Sequence, residues 1–170
     1  MRRTLTIILL VTGIVRFSSA SAEDANIKWL SKEQAAAQHG DADAQTTLGL
    51  QYSLGVHGMQ KDGTEAVKWW RKAAQSGKTD AQVLLGNAYL TGTGISKDQG
   101  EAVKWWRKAA ESGNADGQAL LGQAYYEGIS VEKDKAEGIS WLRKAAENGS
   151  PIAITLLKSL NIRVSVTTGK

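Results

Sequence analysis

Few side chains in this sequence are spaced to do chemistry. Ser130 and Lys133 form an S-x-x-K pair, in which a lysine could take the proton of a serine nucleophile. Penicilloyl-serine enzymes also need S-D-N and K-T-G, and neither occurs; Ser130 also stands where the other units place a loop glycine, so a turn role is expected. Gly77-Lys78-Thr79 lacks the upstream glycine of a phosphate loop. Asp62/Glu65, Asp98/Glu101 and Asp134/Glu137 are paired carboxylates, a pattern suited to acid–base work if the pairs shared a cleft. Asn148-Gly149-Ser150 is formally a glycosylation sequon, and His39 and His57 have no recurring partner. With no cysteine, disulfides, thiolate nucleophiles and iron–sulfur or zinc-finger sites are excluded. No nucleophile, base and orienter can be assembled. The chain is therefore expected to be non-catalytic, with no catalytic residue, no cofactor and no metal. A hydrolase or β-lactam-binding enzyme is the competing class, which turnover and covalent labelling would expose.

Charge narrows the partner class. The formal net charge is +4 over 170 residues, but Arg2, Arg3 and Arg16 all lie in the first 22 residues, which hold no acid. The remainder is nearly balanced, which argues against a nucleic-acid binder. That first segment reads as an address. Met1-Arg2-Arg3 is followed by an apolar stretch from Leu5 to Val15 and by Ala20-Ser21-Ala22, a small-residue site expected to be cut before Glu23. The stretch falls short of the roughly twenty residues that span a bilayer. A cleavable signal peptide over 1–22 is expected, with a bacterial periplasmic or secreted product and no membrane insertion after cleavage.

The candidate groups must sit on a repeated scaffold. Ala66-Val67-Lys68-Trp69-Trp70-Arg71-Lys72-Ala73-Ala74 recurs identically 36 residues later as Ala102 to Ala110, and again as Gly138-Ile139-Ser140-Trp141-Leu142-Arg143-Lys144-Ala145-Ala146. A second signature, Ala-Gln-x-x-Leu-Gly-x-x-Tyr, runs over 44–52, 81–89 and, with Gly117 for Ala, 117–125. A fixed period of this length marks a solenoid of helix pairs. Ala44, Leu48, Gly49 and Tyr52 share one helical face. Gly49, Gly86 and Gly122 recur inside that first helix, where glycine costs about 1 kcal/mol, so close packing is expected to require the missing Cβ. Asp62, Asp98 and Asp134, each followed three residues later by Glu, predict capping boxes at the start of the second helix, which explains the paired carboxylates without catalysis. Gly77, Gly113 and Gly149 are expected at left-handed C′ positions, with Asn114 and Ser150-Pro151 opening the next helices.

The sequence predicts an all-α, right-handed α-solenoid of helix-turn-helix units over 23–160, with full units at about 43–78, 79–114 and 115–150. A half unit near 27–38, with Trp29 out of register, and a helix over 151–160 would cap the ends. Residues 161–170 form a tail expected to be mobile.

The shared pattern, Ala-x-x-x-Leu-Gly-x-x-Tyr-x-x-Gly-x-Gly-Ile-x-x-Asp-x-x-x-Ala-x-x-Trp-x-x-x-Ala-Ala-x-x-Gly, resembles the Sel-one-like repeat (SLR) family, relatives of the tetratricopeptide repeat. Departures are Gly117, Ser130, Gly138 and one extra residue near His57. The resemblance implies a solenoid whose first helices line a concave surface that binds other proteins. Some cysteine-rich members have been associated with β-lactams, but the cysteines are absent here.

Two surfaces then compete for a partner. Trp69 and Trp105, at i+3 from Ala66 and Ala102, are expected to fill the core. Trp70 and Trp106 lie about 100° further round, either packed between units, the preferred reading, or forming an aromatic platform. Lys68, Arg71, Lys72 and their counterparts form a regular basic stripe, expected to be a solvated face. Positions that hold the fold should be constant between units, and positions free to meet a partner should vary. The variable first-helix sets are Thr46/Val83/Ala119, Leu50/Asn87/Gln123, Ser53/Leu90/Tyr126 and Leu54/Thr91/Glu127. Leu50, Ser53, Asn87, Leu90, Gln123 and Tyr126 are the expected partner-binding residues, with Leu50, Leu90 and Tyr126 as anchors. The expected function is an exported module that binds one protein, either an immunity-type inhibitor of a secreted toxin or an envelope or host-directed adaptor.

Overall fold

A computed structural model describes residues 32–163. Every regular element among them is an α-helix, and the helices pack as consecutive antiparallel pairs. Residues 32–38 form α1, followed by α2 (Ala42–Leu54), α3 (Gly63–Gln75), α4 (Thr79–Thr91), α5 (Gln99–Glu111), α6 (Ala115–Glu127), α7 (Lys135–Glu147) and α8 (Pro151–Ser159). The expected leader over 1–22, the misaligned Trp29 and the tail from 164 onward lie outside the described residues.

Each helix stops where its sequence carries a backbone signal. Gly77, Gly113 and Gly149 have φ of 89°, 88° and 86°, the left-handed conformation that glycine adopts without Cβ strain. At Gly77 the chain closes a Schellman motif: Lys78 N–H donates to Ala73 O at 3.0 Å and Gly77 N–H to Ala74 O at 3.1 Å. Asn114 and Ser150 accept from the third amide of α6 and α8, and Pro151 sits in the first turn of α8. Ser130 adopts φ of 51°, and its counterpart Gly94 has φ of 70°, so both serve the loop turn.

The capping boxes form only by half. Asp62, Asp98 and Asp134 each accept the amide of the glutamate three residues on, at 3.0 Å. The return bond from glutamate to the cap amide is absent. That amide is already taken by the preceding first helix: Asp62 N–H donates to Tyr52 O at 2.8 Å, Asp98 to Tyr89 O and Asp134 to Tyr125 O, both at 2.9 Å. The glutamates find other partners, Glu65 with Lys68, Glu101 with Lys104, and Glu137 with the Trp141 indole N–H at 2.7 Å.

The packing preferred for Trp70 and Trp106 is what the core shows, whereas Trp69 and Trp105 lie at its edge and do not fill it. Trp70 and Trp106 are the buried pair, 5% and 2% exposed, whereas Trp69 and Trp105 are only half-buried. Ala66, Val67, Trp70, Ala73 and Ala74 are the buried residues of α3. At 100° per residue, Trp70 stands at the centre of that stripe and Trp69 about 100° off it. Each outer tryptophan packs backwards instead: Trp69 against Ala37, Ala44 and Leu48, Trp105 against the α3–α4 core, and Trp141 against the α5–α6 core.

The recurring glycines make room for those indoles. A Cβ on Gly86 would lie 2.5 Å from Trp106 Nε1, and one on Gly49 would collide with Trp70 in the same way. The third unit solves the same packing differently. Leu142 replaces the second tryptophan, and a Cβ on Gly138 would lie 2.7 Å from Gly122 O and from Tyr126 N. The smaller side chain is thus matched by a closer approach of α6 and α7, which the loss of the Ala methyl allows. Glutamine completes the stack. Gln45, Gln82 and Gln118 donate through Nε2 to the carbonyls of Ala37, Ala74 and Ala110 at 3.0, 3.2 and 3.2 Å, tying each first helix to the helix before it. Gln45 reaching Ala37 places α1 as the end of a preceding second helix. At the other end Ile162 packs on the last core cluster, so the solenoid extends slightly past residue 160.

Candidate partner-binding face

First helices of neighbouring units touch directly, α4 with α6 and α6 with α8, while the second helices are held apart by them. A stack that is tighter along one row of helices curves towards that row, so α4, α6 and α8 lie on its inner side, and α2 is the corresponding first helix of the first unit. The functional question is which side chains they leave open there.

The six expected binding residues do not form one free surface. Leu50 is exposed, at 37%. Ser53 is half-buried, with Oγ donating to Leu50 O at 2.8 Å, and Gln123 donates to Glu127 at 2.9 Å. Asn87 accepts the Trp106 indole N–H at 3.1 Å, so it holds the core in place. Leu90 packs against the α5–α6 core. Tyr126 lies with its backbone against Gly138 and Lys135 Nζ 5.3 Å from its ring centre. Variation between units does not always mean exposure. Thr46 and Ala119 are buried, Thr46 through a 2.7 Å bond to Ala42 O. Leu90 therefore cannot be truncated without touching packed structure.

A cleft lies beside Leu50. Its volume is about 240 Å³, and it is lined by Leu50, Val83, Leu84, Asp80, Asn114 and Asp116. Leu50 and Val83 belong to the variable sets; the aspartates escape a comparison of variable positions because they recur in every unit. Asp43, Asp80 and Asp116 each sit one residue inside the start of a first helix, where the N-terminal dipole favours a carboxylate. Each meets the N-cap residue of the next first helix. Asp43 pairs with Lys78, Asp80 Oδ1 accepts from Asn114 Nδ2 at 2.8 Å, and Asp116 Oδ1 accepts from Ser150 Oγ at 2.8 Å. The Asp43 carboxylate, first by its hydrogen bond and then by its charge, raises Lys78 above the usual lysine range.

The outer surface has its own regular pattern. Lys72, Lys108 and Lys144 lie over the rings of Trp69, Trp105 and Trp141, at 4.1, 4.3 and 5.0 Å from the ring centres. Arg71 donates to the Tyr89 hydroxyl at 3.2 Å, and Arg107 lies 5.5 Å from the Tyr125 ring. Much of the basic stripe is thus occupied in covering aromatic rings. Among the described residues no group of three or more His, Asp or Glu is placed to hold a metal ion, and no helix is long and apolar enough to cross a membrane.

Three consecutive stretches, residues 42–78, 79–114 and 115–150, match the family model described as Sel1 repeat. A Sel1 repeat protein from Oxalobacter formigenes has a similar solved structure, with TM-score 0.69 and 35% identity, covering 76% of this chain and 97% of that one. A protective antigen of uropathogenic Escherichia coli with an SLR fold gives TM-score 0.70 and 36% identity, over 82% of this chain and 30% of the other. HRD3A of Arabidopsis thaliana, an ERAD-associated E3 ubiquitin-protein ligase component, is 40% identical over 58 residues, which are 34% of this chain and 9% of that protein. The chain thus spans less than a tenth of this curated relative's length.

Proposed function

Because the chain belongs to the Sel1 repeat family, whose solenoids serve as protein–protein interaction scaffolds, we propose that it is an exported, non-catalytic module that holds one protein partner on its inner face. The observation that carries this reading is the cleft among α2, α4 and α6. Its apolar residues Leu50, Val83 and Leu84 lie beside helices whose inner-side residues differ from unit to unit, while the residues that hold the fold recur. The outer stripe offers less, since its lysines are engaged with rings belonging to its own helices.

Export rests on the leader-like residues 1–22 and is tested by intact mass of the exported chain, which should begin at Glu23; retention of Met1 would refute it. An immunity-type inhibitor and an envelope or host-directed adaptor are both consistent with such a module, and an adjacent gene for a secreted lipase or nuclease would favour the first. The binding face is tested by affinity capture with the exported chain. Leu50→Ser with Val83→Ser should weaken the captured partner at least about tenfold, roughly 1.4 kcal/mol. Lys68→Gln with Lys104→Gln should leave it in place. The opposite pattern would move the site to the outer surface.

A further inference from the structure

Within the three repeat units the first helices carry no cation. The ionisable side chains of α2, α4 and α6 other than tyrosine are Asp43, Asp80, Asp116 and Glu127, all acidic, while the lysines and arginines of the units lie on α3, α5, α7 and the loops. Resting on the inner-face reading above, we propose that the cleft takes a cationic, aliphatic peptide segment of the partner. A Lys or Arg would meet Asp80 and Asp116, and an aliphatic side chain would meet Leu50, Val83 and Leu84.

The polar slots between units carry the argument. The same slot is filled three times, by Lys78 on Asp43, Asn114 on Asp80 and Ser150 on Asp116. Only the first donor is a cation. A neutral donor suffices for the structural task of joining one unit to the next, so Asp80 and Asp116 make no ion pair among the described residues; Lys78, paired with Asp43, also feels the Asp80 charge, and no lysine or arginine pairs with Asp116. Each of these carboxylates spends Oδ1 on its slot, leaving Oδ2 for an incoming donor. These two residues, and not Asp43, line the cleft.

Two considerations select a cation over other occupants. The positive ends of α4 and α6 would ordinarily attract an anion, but the carboxylates of Asp80 and Asp116 in their first turns repel one. Asp80 is exposed and Asp116 half-buried, and Leu50, Val83 and Leu84 beside them would cover the aliphatic part of a bound Lys or Arg.

A display library of random dodecapeptides selected against the full chain tests this. Enriched peptides should place Lys or Arg next to Leu, Ile or Val. A synthetic copy should bind about tenfold more weakly to the Asp80→Asn/Asp116→Asn variant, and its binding to the unaltered chain should fall with added salt. Asparagine still accepts from Asn114 and Ser150, so the chain should stay folded, with the thermal midpoint lowered only by roughly a few degrees through the lost charge at two helix starts, and a folding defect is separable. Peptides lost with Leu50→Ser/Val83→Ser but indifferent to the asparagine changes would overturn the cationic chemistry and leave the inner face standing. Peptides lost only with Lys72→Gln/Lys108→Gln would overturn both. Failure to enrich any sequence above the naive library would overturn the peptide class.

Discussion

The indole N–H of Trp106 donates to Asn87 Oδ1 at 3.1 Å, whereas the indole nitrogen of Trp70, one unit earlier, is buried with no partner. The difference lies in a single repeat position, which is Leu50, Asn87 and Gln123 in successive units. Leucine offers no acceptor. In the third unit Leu142 has no N–H to satisfy, and Gln123 turns to Glu127 instead. A position that looks free because it varies is therefore, in one unit, matched to the core residue behind it.

Supplying the missing acceptor should stabilise the first unit. Leu50→Asn is expected to raise unfolding free energy by about 1 kcal/mol by giving Trp70 a hydrogen bond. Asn87→Leu should lower it by about 1–3 kcal/mol, because it strands a buried donor. Equilibrium urea unfolding measures both. A loss on Leu50→Asn would show that Trp70 does not sit as Trp106 does.

Adjacent tryptophans should differ in cost. Trp106→Ala removes a ring packed on all sides and should cost about 3–5 kcal/mol. Trp105→Ala removes a half-buried ring and its contact with Lys108, about 1–2 kcal/mol. Because each unit leans only on its neighbours, the larger loss should spread through α4, α5 and α6 in hydrogen exchange. Equal costs would contradict the burial assigned to the pair.

The third unit's solution should be transferable. Trp106→Leu alone leaves a void beside Gly86, and Ala102→Gly alone only loosens the helix. Together they reproduce the Gly138–Leu142 arrangement, so the double variant should be more stable than the sum of the two losses predicts, by roughly 0.5–3 kcal/mol of coupling. A double-mutant cycle in urea reads this directly, and strict additivity would show that the two substitutions are unrelated.

Capping should divide unequally between Asp98 and Glu101. Asp98→Ala removes the acceptor for the Glu101 amide and should cost about 0.5–2 kcal/mol. Glu101→Ala should cost under about 0.5 kcal/mol, because the cap amide is held by Tyr89 and only an exposed pair with Lys104 is lost. Similar losses for both would restore the reciprocal box.

What the sequence disclosed was local. The period, the capping aspartates, the C′ glycines and the interior glycines each act within a turn or a helix pair and leave a mark at fixed spacing. The errors arose where a distant group decided the outcome. The cap glutamates lost their task to tyrosine carbonyls from the preceding helix, which spacing within the cap could not reveal. Ala66 and Ala73 alone point the face at Trp69; Val67 and Ala74 centre it on Trp70, which is packed as expected while Trp69 falls to the edge. The cleft's aspartates were legible as a recurring Asp just before Ala-Gln or Gly-Gln. Their partners lie 34 or 35 residues away at the next helix start, and only the stacked fold joins them.

The face that meets the partner can be read most directly by oxidative footprinting of the chain with and without its captured protein. The inner-face account predicts protection of Leu50, Val83 and Leu84, with oxidation of Trp69, Trp105 and Trp141 unchanged. Protection of those three tryptophans with the leucines left fully reactive would contradict it, and would place the partner on the outer stripe of rings and lysines.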